Sequence, residues 1–172
     1  MNNSIDAKKF TYNAEIQKSL RKEFVFENKF VIGHVWRFNS QKNHSFLIKI
    51  FKEVVAKNKD SVLVLIGHGN LKEAIQKEVK SLNVLDKIHF LGVRKDIPRL
   101  LQMFDAFVFP SFYEGLPVTL IEAQAAGLKI YASDSITKEV ELTNDIQFLS
   151  IEDKPEYWAC LLYTSPSPRD RG

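Results

Sequence analysis

Two carboxylates, Glu114 and Glu122, stand on either side of a glycine and the start of a helix. The run reads Pro110-Ser111-Phe112-Tyr113-Glu114-Gly115-Leu116-Pro117-Val118-Thr119-Leu120-Ile121-Glu122. A strand-like stretch ends at Phe109, a loop containing Gly115 follows, and Pro117 falls near the first position of a helix. The free N–H groups of a helix start, together with the helix dipole, make a site for an anion. Gly115 lets the backbone come close to a phosphate. Glu122 lies five residues past Pro117, about 7 Å along the axis at ~1.5 Å per residue. Two acids flanking an amide cluster can bracket a molecule that carries hydroxyls on one side and a diphosphate in the middle. On spacing alone, the same residues also describe a capped helix whose acids merely suit its dipole.

Three other loops carry candidates. In Trp36-Arg37-Phe38-Asn39-Ser40-Gln41-Lys42-Asn43, Arg37 and Lys42 follow a strand. A guanidinium fork and a mobile ammonium suit a diphosphate leaving group and would stabilise its charge as the sugar–oxygen bond breaks. Read alone, they are as well two solvated cations in a polar loop. Gly67-His68-Gly69-Asn70 follows a buried strand, and Gly67 and Gly69 allow close ligand approach. The third glycine of the dinucleotide fingerprint is missing. Gly92-Val93-Arg94-Lys95-Asp96 is a short turn that can offer backbone groups at Val93 and Arg94 to a nucleobase edge, or be a plain strand–helix turn. There is no P-loop, no nucleophile elbow and no metal-spaced cluster of His, Cys and Asp. His34, His44, His68 and His89 are scattered and read as structural or exposed. Cys160, in a late apolar segment, reads as a small buried residue.

The elements that must position these loops alternate in type. Strands are expected over Phe30–Trp36, Ser61–Ile66, Lys87–Leu91, Ala106–Phe109, Leu128–Ala132 and Ile146–Leu149. Helices are expected over Tyr12–Phe24, His44–Lys57, Asn70–Leu82 with Asn70 as N-cap, Ile97–Met103, and Pro117–Ala126 closed by Gly127. This alternation implies an α/β fold, a Rossmann-like parallel sheet with helices on both faces. In such sheets ligands bind beyond the carboxyl ends of the strands, where all four loops lie.

Composition bounds the alternatives. The chain has 172 residues, 45% hydrophobic and 26% charged, with 13 Phe. Its net charge of +3, from 24 basic and 21 acidic residues, is too balanced for a nucleic-acid partner. One cysteine leaves no internal disulfide, and no apolar run or signal segment appears, which points to the cytoplasm. Residues 1–29 read as an interdomain linker and edge helix, and 30–163 as the ligand-binding domain. Residues 164–172, ending Ser165-Pro166-Ser167-Pro168-Arg169-Asp170-Arg171-Gly172, read as a non-native or disordered tail.

Taken in order, these loops resemble the C-terminal domain of family 4 glycosyltransferases, retaining enzymes of the two-domain GT-B fold. The resemblance runs from about Asn3 to about Leu162. It rests on Asn3-Ser4-Ile5-Asp6, on Ile32-Gly33-His34-Val35-Trp36-Arg37-Phe38 with Gln41-Lys42-Asn43-His44, on Val64-Leu65-Ile66-Gly67-His68-Gly69 and on Phe90-Leu91-Gly92. Most specific is Pro110-Ser111 with Glu114-Gly115-Leu116-Pro117 and Glu122-Ala123, the family's two glutamates with seven residues between them.

The resemblance implies a role for each matching position. Arg37 and Lys42 would bind the diphosphate of a UDP- or GDP-sugar. Glu114 would lie near the donor sugar and reacting centre. The backbone at Gly115, Leu116 and Pro117 would surround sugar and phosphates. Glu122 would hold the ribose, and the Val93-Arg94 turn would edge the base. Neither a cofactor nor a metal is expected. The partners implied are the nucleotide sugar, a glycan or lipid-linked acceptor of the capsule or exopolysaccharide type, and an N-terminal GT-B domain that this chain lacks. Peripheral contact at the inner face of a membrane would belong to the full-length protein. Trp36 departs from the family's usual glycine and could block the approach to the phosphates or stack on the ligand. A non-catalytic regulatory domain of the same fold, or another GT-B enzyme such as a sugar-nucleotide epimerase, remains the alternative.

Overall fold

The computed structural model describes residues 7–36, 43–67, 72–112 and 117–164. Among these, the chain runs α1 (Ala7–Phe10), α2 (Ala14–Phe24), β1 (Phe30–Val35), α3 (His44–Lys57), β2 (Ser61–Ile66), α4 (Lys72–Ser81) and β3 (Ile88–Gly92). It continues through α5 (Ile97–Leu100), β4 (Ala106–Phe109), α6 (Val118–Ala125), β5 (Lys129–Ser133), β6 (Ile146–Leu149) and α7 (Pro155–Thr164).

Each strand is short, apolar and covered on both sides, which is why it reads as a continuous hydrophobic run. Along β1, Val31 and Val35 face one layer with Leu20 of α2 and Leu120 and Ala123 of α6. Ile32 and Trp36 face the other, with Leu47, Phe51 and Val54 of α3 and Trp158 and Leu162 of α7. Fully buried side chains such as Phe51, Phe104 and Phe107 contribute roughly 1.5–3 kcal/mol each relative to exposure.

The six strands are parallel, in the order β3-β2-β1-β4-β5-β6. The chain therefore grows outward from β1 in one direction, then returns to β4 on its other side. That reversal is the topological switch point where α/β sheets bind ligands. The β1–β2 ladder runs from Phe30–Ser61 to Val35–Ile66. The β1–β4 ladder holds only Ile32–Ala106 and Gly33–Phe107, so the two strands stop pairing before their carboxyl ends.

Several expectations shift by a residue or two. The first strand ends at Val35 rather than Trp36, and the fifth spans Lys129–Ser133. The stretch Ile97–Met103 divides into one α-turn and a 3-10 turn over Leu101–Met103. α6 starts at Val118 with Pro117 as its N-cap, because Pro117 holds an extended backbone, φ −75° and ψ 98°. Gly127, at φ 74°, ends the helix as expected, its N–H donating to the Gln124 carbonyl. The late apolar segment forms α7, which leaves Cys160 exposed where the sequence predicts a buried residue. Burial falls to its neighbours Trp158, Ala159 and Leu162, which form the stripe facing α3. The suggested cap Asn70 lies outside the described residues.

At the amino end of the sheet, Arg21 ties α2 down. Its Nη2 lies 2.7 Å from Asp105 Oδ2, and its Nε donates to the Met103 carbonyl at 3.0 Å. Asp105 also accepts from the Val31 N–H at 2.8 Å. Gln102 fixes the segment before α2: its Nε2 donates to the Phe10 carbonyl and its Oε1 accepts from the Asn13 N–H.

Candidate functional site

The carboxyl rim is stitched from strand to strand. Trp36 N–H donates to the Ile66 carbonyl at 3.0 Å, and Gly67 N–H donates to the Gly92 carbonyl at 2.7 Å. The starts of the four candidate loops therefore follow one edge, in the order Val93, Gly67, Trp36, Pro110. From β3 to β1 is two strand spacings, about 10 Å. An extended ligand with an anionic centre can span that distance.

Past Gly33 and Phe107, where β1 and β4 stop pairing, a side chain crosses the gap. The buried His34 Nδ1 lies 2.8 Å from the Val108 carbonyl oxygen. A carbonyl can only accept, so Nδ1 carries the proton. The imidazole thus bridges the two strand ends from within the core. His44, at the first position of α3, stands edge-on to it with ring centroids 5.3 Å apart.

Trp36 closes this cluster from above. Its indole is 7% exposed and meets the His44 ring edge-on at 4.2 Å. Gly67 makes room for it. A Cβ there would sit 2.5 Å from the Trp36 carbonyl oxygen and 3.2 Å from the indole, and the Gly67 backbone lies at φ 122°. The indole is therefore packed on the α3 side of the sheet. The ring is core, and Gly67 leaves the room that it fills.

Across the crevice, Ser111 follows β4 and is fully buried, whereas Phe112 is 49% exposed. Pro117 is buried at the N-cap of α6. The Val118 and Thr119 N–H groups precede the turn bond from Leu120 N–H to the Pro117 carbonyl and, lying in the first turn, have no partner within the helix. Glu122 lies one turn further along and is 3% exposed, so the acid expected to hold a ribose is nearly enclosed.

At the far end of the rim, Val93 is 64% exposed. Arg94 is engaged by Asp96 in a two-point contact, Nε to Oδ1 and Nη2 to Oδ2, each 2.8 Å. These hydrogen bonds hold the Asp96 carboxyl below its usual range and raise the guanidinium above its own. The turn is therefore braced, and its backbone rather than the Arg94 side chain is available to an incoming ring.

Arg37, Lys42, Glu114, Gly115 and Leu116 lie outside the described residues, as do His68 and Gly69. The described residues place their flanks: Trp36 and Asn43 on one side of the switch point, Phe112 and Pro117 on the other. Gly67, Val93 and Arg94 share the same rim. Among the described residues no group of three His, Cys, Asp or Glu side chains has the geometry to hold a metal ion, and no helix is long and apolar enough to cross a membrane.

Gln124 carried no signal in the sequence. Its Nε2 donates to the Leu120 and Val140 carbonyls at 3.2 and 2.7 Å, and its Oε1 accepts from the Leu142 and Thr143 N–H groups at 2.7 and 3.0 Å. It fastens the connection between β5 and β6 to α6. Only its place two residues after Glu122, on a mostly apolar helix, marks it out.

Similarity to known proteins agrees with this geometry. The family described as Glycosyl transferases group 1 matches residues 15–159. The putative glycosyltransferase EpsF of Bacillus subtilis (strain 168) is 40% identical over 161 residues, covering 91% of this chain and 41% of that protein. The UDP-Gal:alpha-D-GlcNAc-diphosphoundecaprenol alpha-1,3-galactosyltransferase of Escherichia coli is 32% identical, covering 87% of this chain and 40% of that enzyme. The chain thus spans about two fifths of these relatives. Anabaena HepE, solved in complex with UDP, superimposes with a TM-score of 0.82 at 20% identity, over 95% of this chain and 46% of that one. The C-terminal domain of LpcC, a glycosyl transferase group 1 family protein from Francisella tularensis, gives 0.75 at 21% identity over 93% of this chain and 86% of that domain. The likeness to a solved C-terminal domain fits the parallel sheet, which is the C-terminal half of a GT-B fold. With a family match across most of its length and a switch-point crevice at its rim, the chain belongs to the glycosyl transferases group 1 family.

Proposed function

We propose that this chain is the donor-binding half of a retaining, family 4 glycosyltransferase that moves a sugar from a UDP- or GDP-sugar to a glycan or lipid-linked acceptor. The observation that carries the reading is the parting of β1 and β4 after Gly33 and Phe107. The loop with Arg37 and Lys42 leaves one of these strands, and the loop with Glu114 and Gly115 leaves the other.

In this reading Arg37 and Lys42 take the diphosphate and neutralise the charge that develops on it, so that no metal is needed. The α6 amides and the backbone near Gly115, Leu116 and Pro117 surround the phosphates and sugar. Glu114 faces the reacting centre, Glu122 the ribose, and the Val93-Arg94 turn the base. Front-face attack, with the configuration at the sugar retained, is the route proposed. Support comes from HepE, whose structures hold UDP and UDP-glucose, and from the E. coli relative, named for a UDP-Gal donor and a diphosphoundecaprenol-linked acceptor. The acceptor site belongs to an N-terminal domain, so the isolated chain binds donor weakly and does not turn it over. The whole enzyme would work in the cytoplasm, at the inner face of a membrane.

Calorimetric titration of the chain with UDP and with GDP tests the binding half. Heat from at least one is expected, and silence from both ends the reading. In the full-length enzyme, Glu114→Ala is expected to abolish turnover. Turnover that survives it would leave a nucleotide-binding domain without the catalytic role.

A further inference from the structure

Gln102 is buried, and it joins the segment that leads into this domain to the short helix behind the Val93-Arg94 turn. Its Nε2 donates to the Phe10 carbonyl at 3.1 Å and to the Pro98 carbonyl at 3.2 Å, and its Oε1 accepts from the Asn13 N–H at 2.7 Å. Both amide hydrogens and the amide oxygen are thus spent on backbone. Asn13 in turn caps α2, its side chain accepting from the Glu15 and Ile16 N–H groups. Phe10 is buried in the core, and α1 packs against both α5 and α6. On the other side of the clamp, α5 begins directly after Asp96. The Asp96 carboxylate braces Arg94, and its carbonyl accepts from the Arg99 and Leu100 N–H groups. One side chain therefore ties residues 7–13 to the helix that backs a rim turn.

We propose that Gln102 is a positioning residue of the whole enzyme: it fixes the direction in which the chain arrives from the acceptor-binding domain, and so the alignment of donor with acceptor. This rests on the two-domain function proposed above and adds a residue to it. Gln102 touches neither substrate and acts through the Phe10 and Asn13 backbone. Residues 7–13 then travel with the donor half, and the pivot between the halves lies on the N-terminal side of Ala7. Transfer needs the reacting atoms about 3–3.5 Å apart, and a misplacement of about 1 Å can cost about 100-fold in rate. The Arg94–Asp96 brace and the bonds to the Asp96 carbonyl do not pass through Gln102. Loss of the clamp therefore spares the donor half and loosens its link to the acceptor half.

The test compares wild type, Gln102→Met and Phe10→Ala, each as the 172-residue chain and as the full-length enzyme. Gln102→Met keeps the unbranched shape and makes none of the three bonds. Phe10→Ala leaves Gln102 in place and empties the apolar anchor of the same segment. The chain is titrated calorimetrically with UDP and GDP. The enzyme is assayed, below its melting temperature, with UDP-glucose, UDP-galactose or GDP-mannose as donor and a membrane lipid extract as acceptor. Both variants should bind nucleotide within about twofold of the wild type, the change expected when no contact is lost. Donor KM should hold likewise, while kcat falls by about 10- to 100-fold. The double variant should lose no more kcat than the worse single one, because both release one segment. A folded Gln102→Met enzyme with the wild-type kcat overturns the inference. So does a nucleotide affinity that falls in step with kcat, since Gln102 then shapes the donor site itself. Should Gln102→Met not fold, Phe10→Ala decides on the same two readings. A wild-type chain that binds neither UDP nor GDP overturns the parent reading instead, and this role with it.

Discussion

His34 donates from Nδ1 to the Val108 carbonyl across the point where β1 and β4 cease to pair. The bond is buried and replaces a ladder that has run out. His34→Leu keeps an apolar body there but strands the carbonyl. It is expected to cost about 1–3 kcal/mol, read from urea unfolding. A change within error would mean that packing alone holds the two strand ends.

Trp36 and Gly67 test where the indole belongs. Trp36→Gly restores the residue usual in the resembling family, but it empties a packed site between His44 and Gly67. The expected loss of stability is about 3–5 kcal/mol, the range for truncating a buried large aromatic, with no gain in UDP affinity by calorimetry. A tighter-binding variant would show that the ring obstructs the phosphates. Gly67→Ala is expected to cost about 2–4 kcal/mol from strain and overpacking. Adding Trp36→Gly should not rescue it, because the clash with the Trp36 carbonyl and the positive φ remain.

Val25 caps α2 in the left-handed region, φ 61° and ψ 44°, and is 74% exposed. A β-branched residue is costly there, and its N–H already makes the bonds that a glycine would make, to the Arg21 and Lys22 carbonyls. Val25→Gly should stabilise the chain by about 1 kcal/mol. Thermal melting checks this, and a lowered midpoint would count against the strain.

Gln124→Leu removes the clamp between α6 and the segment before β6. The Leu142 and Thr143 amides and the Val140 carbonyl lose their partner together. The expected cost is about 2–4 kcal/mol. Amide exchange at Leu142 and Thr143 should accelerate more than elsewhere, and uniform acceleration would argue for global loosening instead.

Burial lowers the proton affinity of His89, which packs edge-on to Phe26 at 4.8 Å. The unfolded chain then takes up its proton first as pH falls below about 6.5. Stability from this residue is fully present above that value and is lost as pH drops through the lower folded one. His89→Gln should flatten the slope of stability against pH below about 6.5, by at most about 1.4 kcal/mol per pH unit for one proton. An unchanged slope would assign it to other groups.

Much of the molecule is legible in its sequence. Apolar runs such as Val62–Ile66 mark strands covered on both faces, and Leu47, Ile50, Phe51 and Val54 mark the buried stripe of α3, because both patterns are local periods of the backbone. The glutamate pair around Gly115 and the Arg37–Lys42 loop were likewise visible, since a motif needs only residue types and spacing. Strand order was not, because pairing is decided between segments far apart in the chain. Only the fold puts β1 beside β4, the two strands that these loops follow in the chain. Tertiary packing also turned Trp36 into core, left Cys160 exposed on α7, and gave Gln124 and His34 their work. A side chain's direction and partners depend on which neighbours the fold delivers, and a one-dimensional pattern does not carry that information.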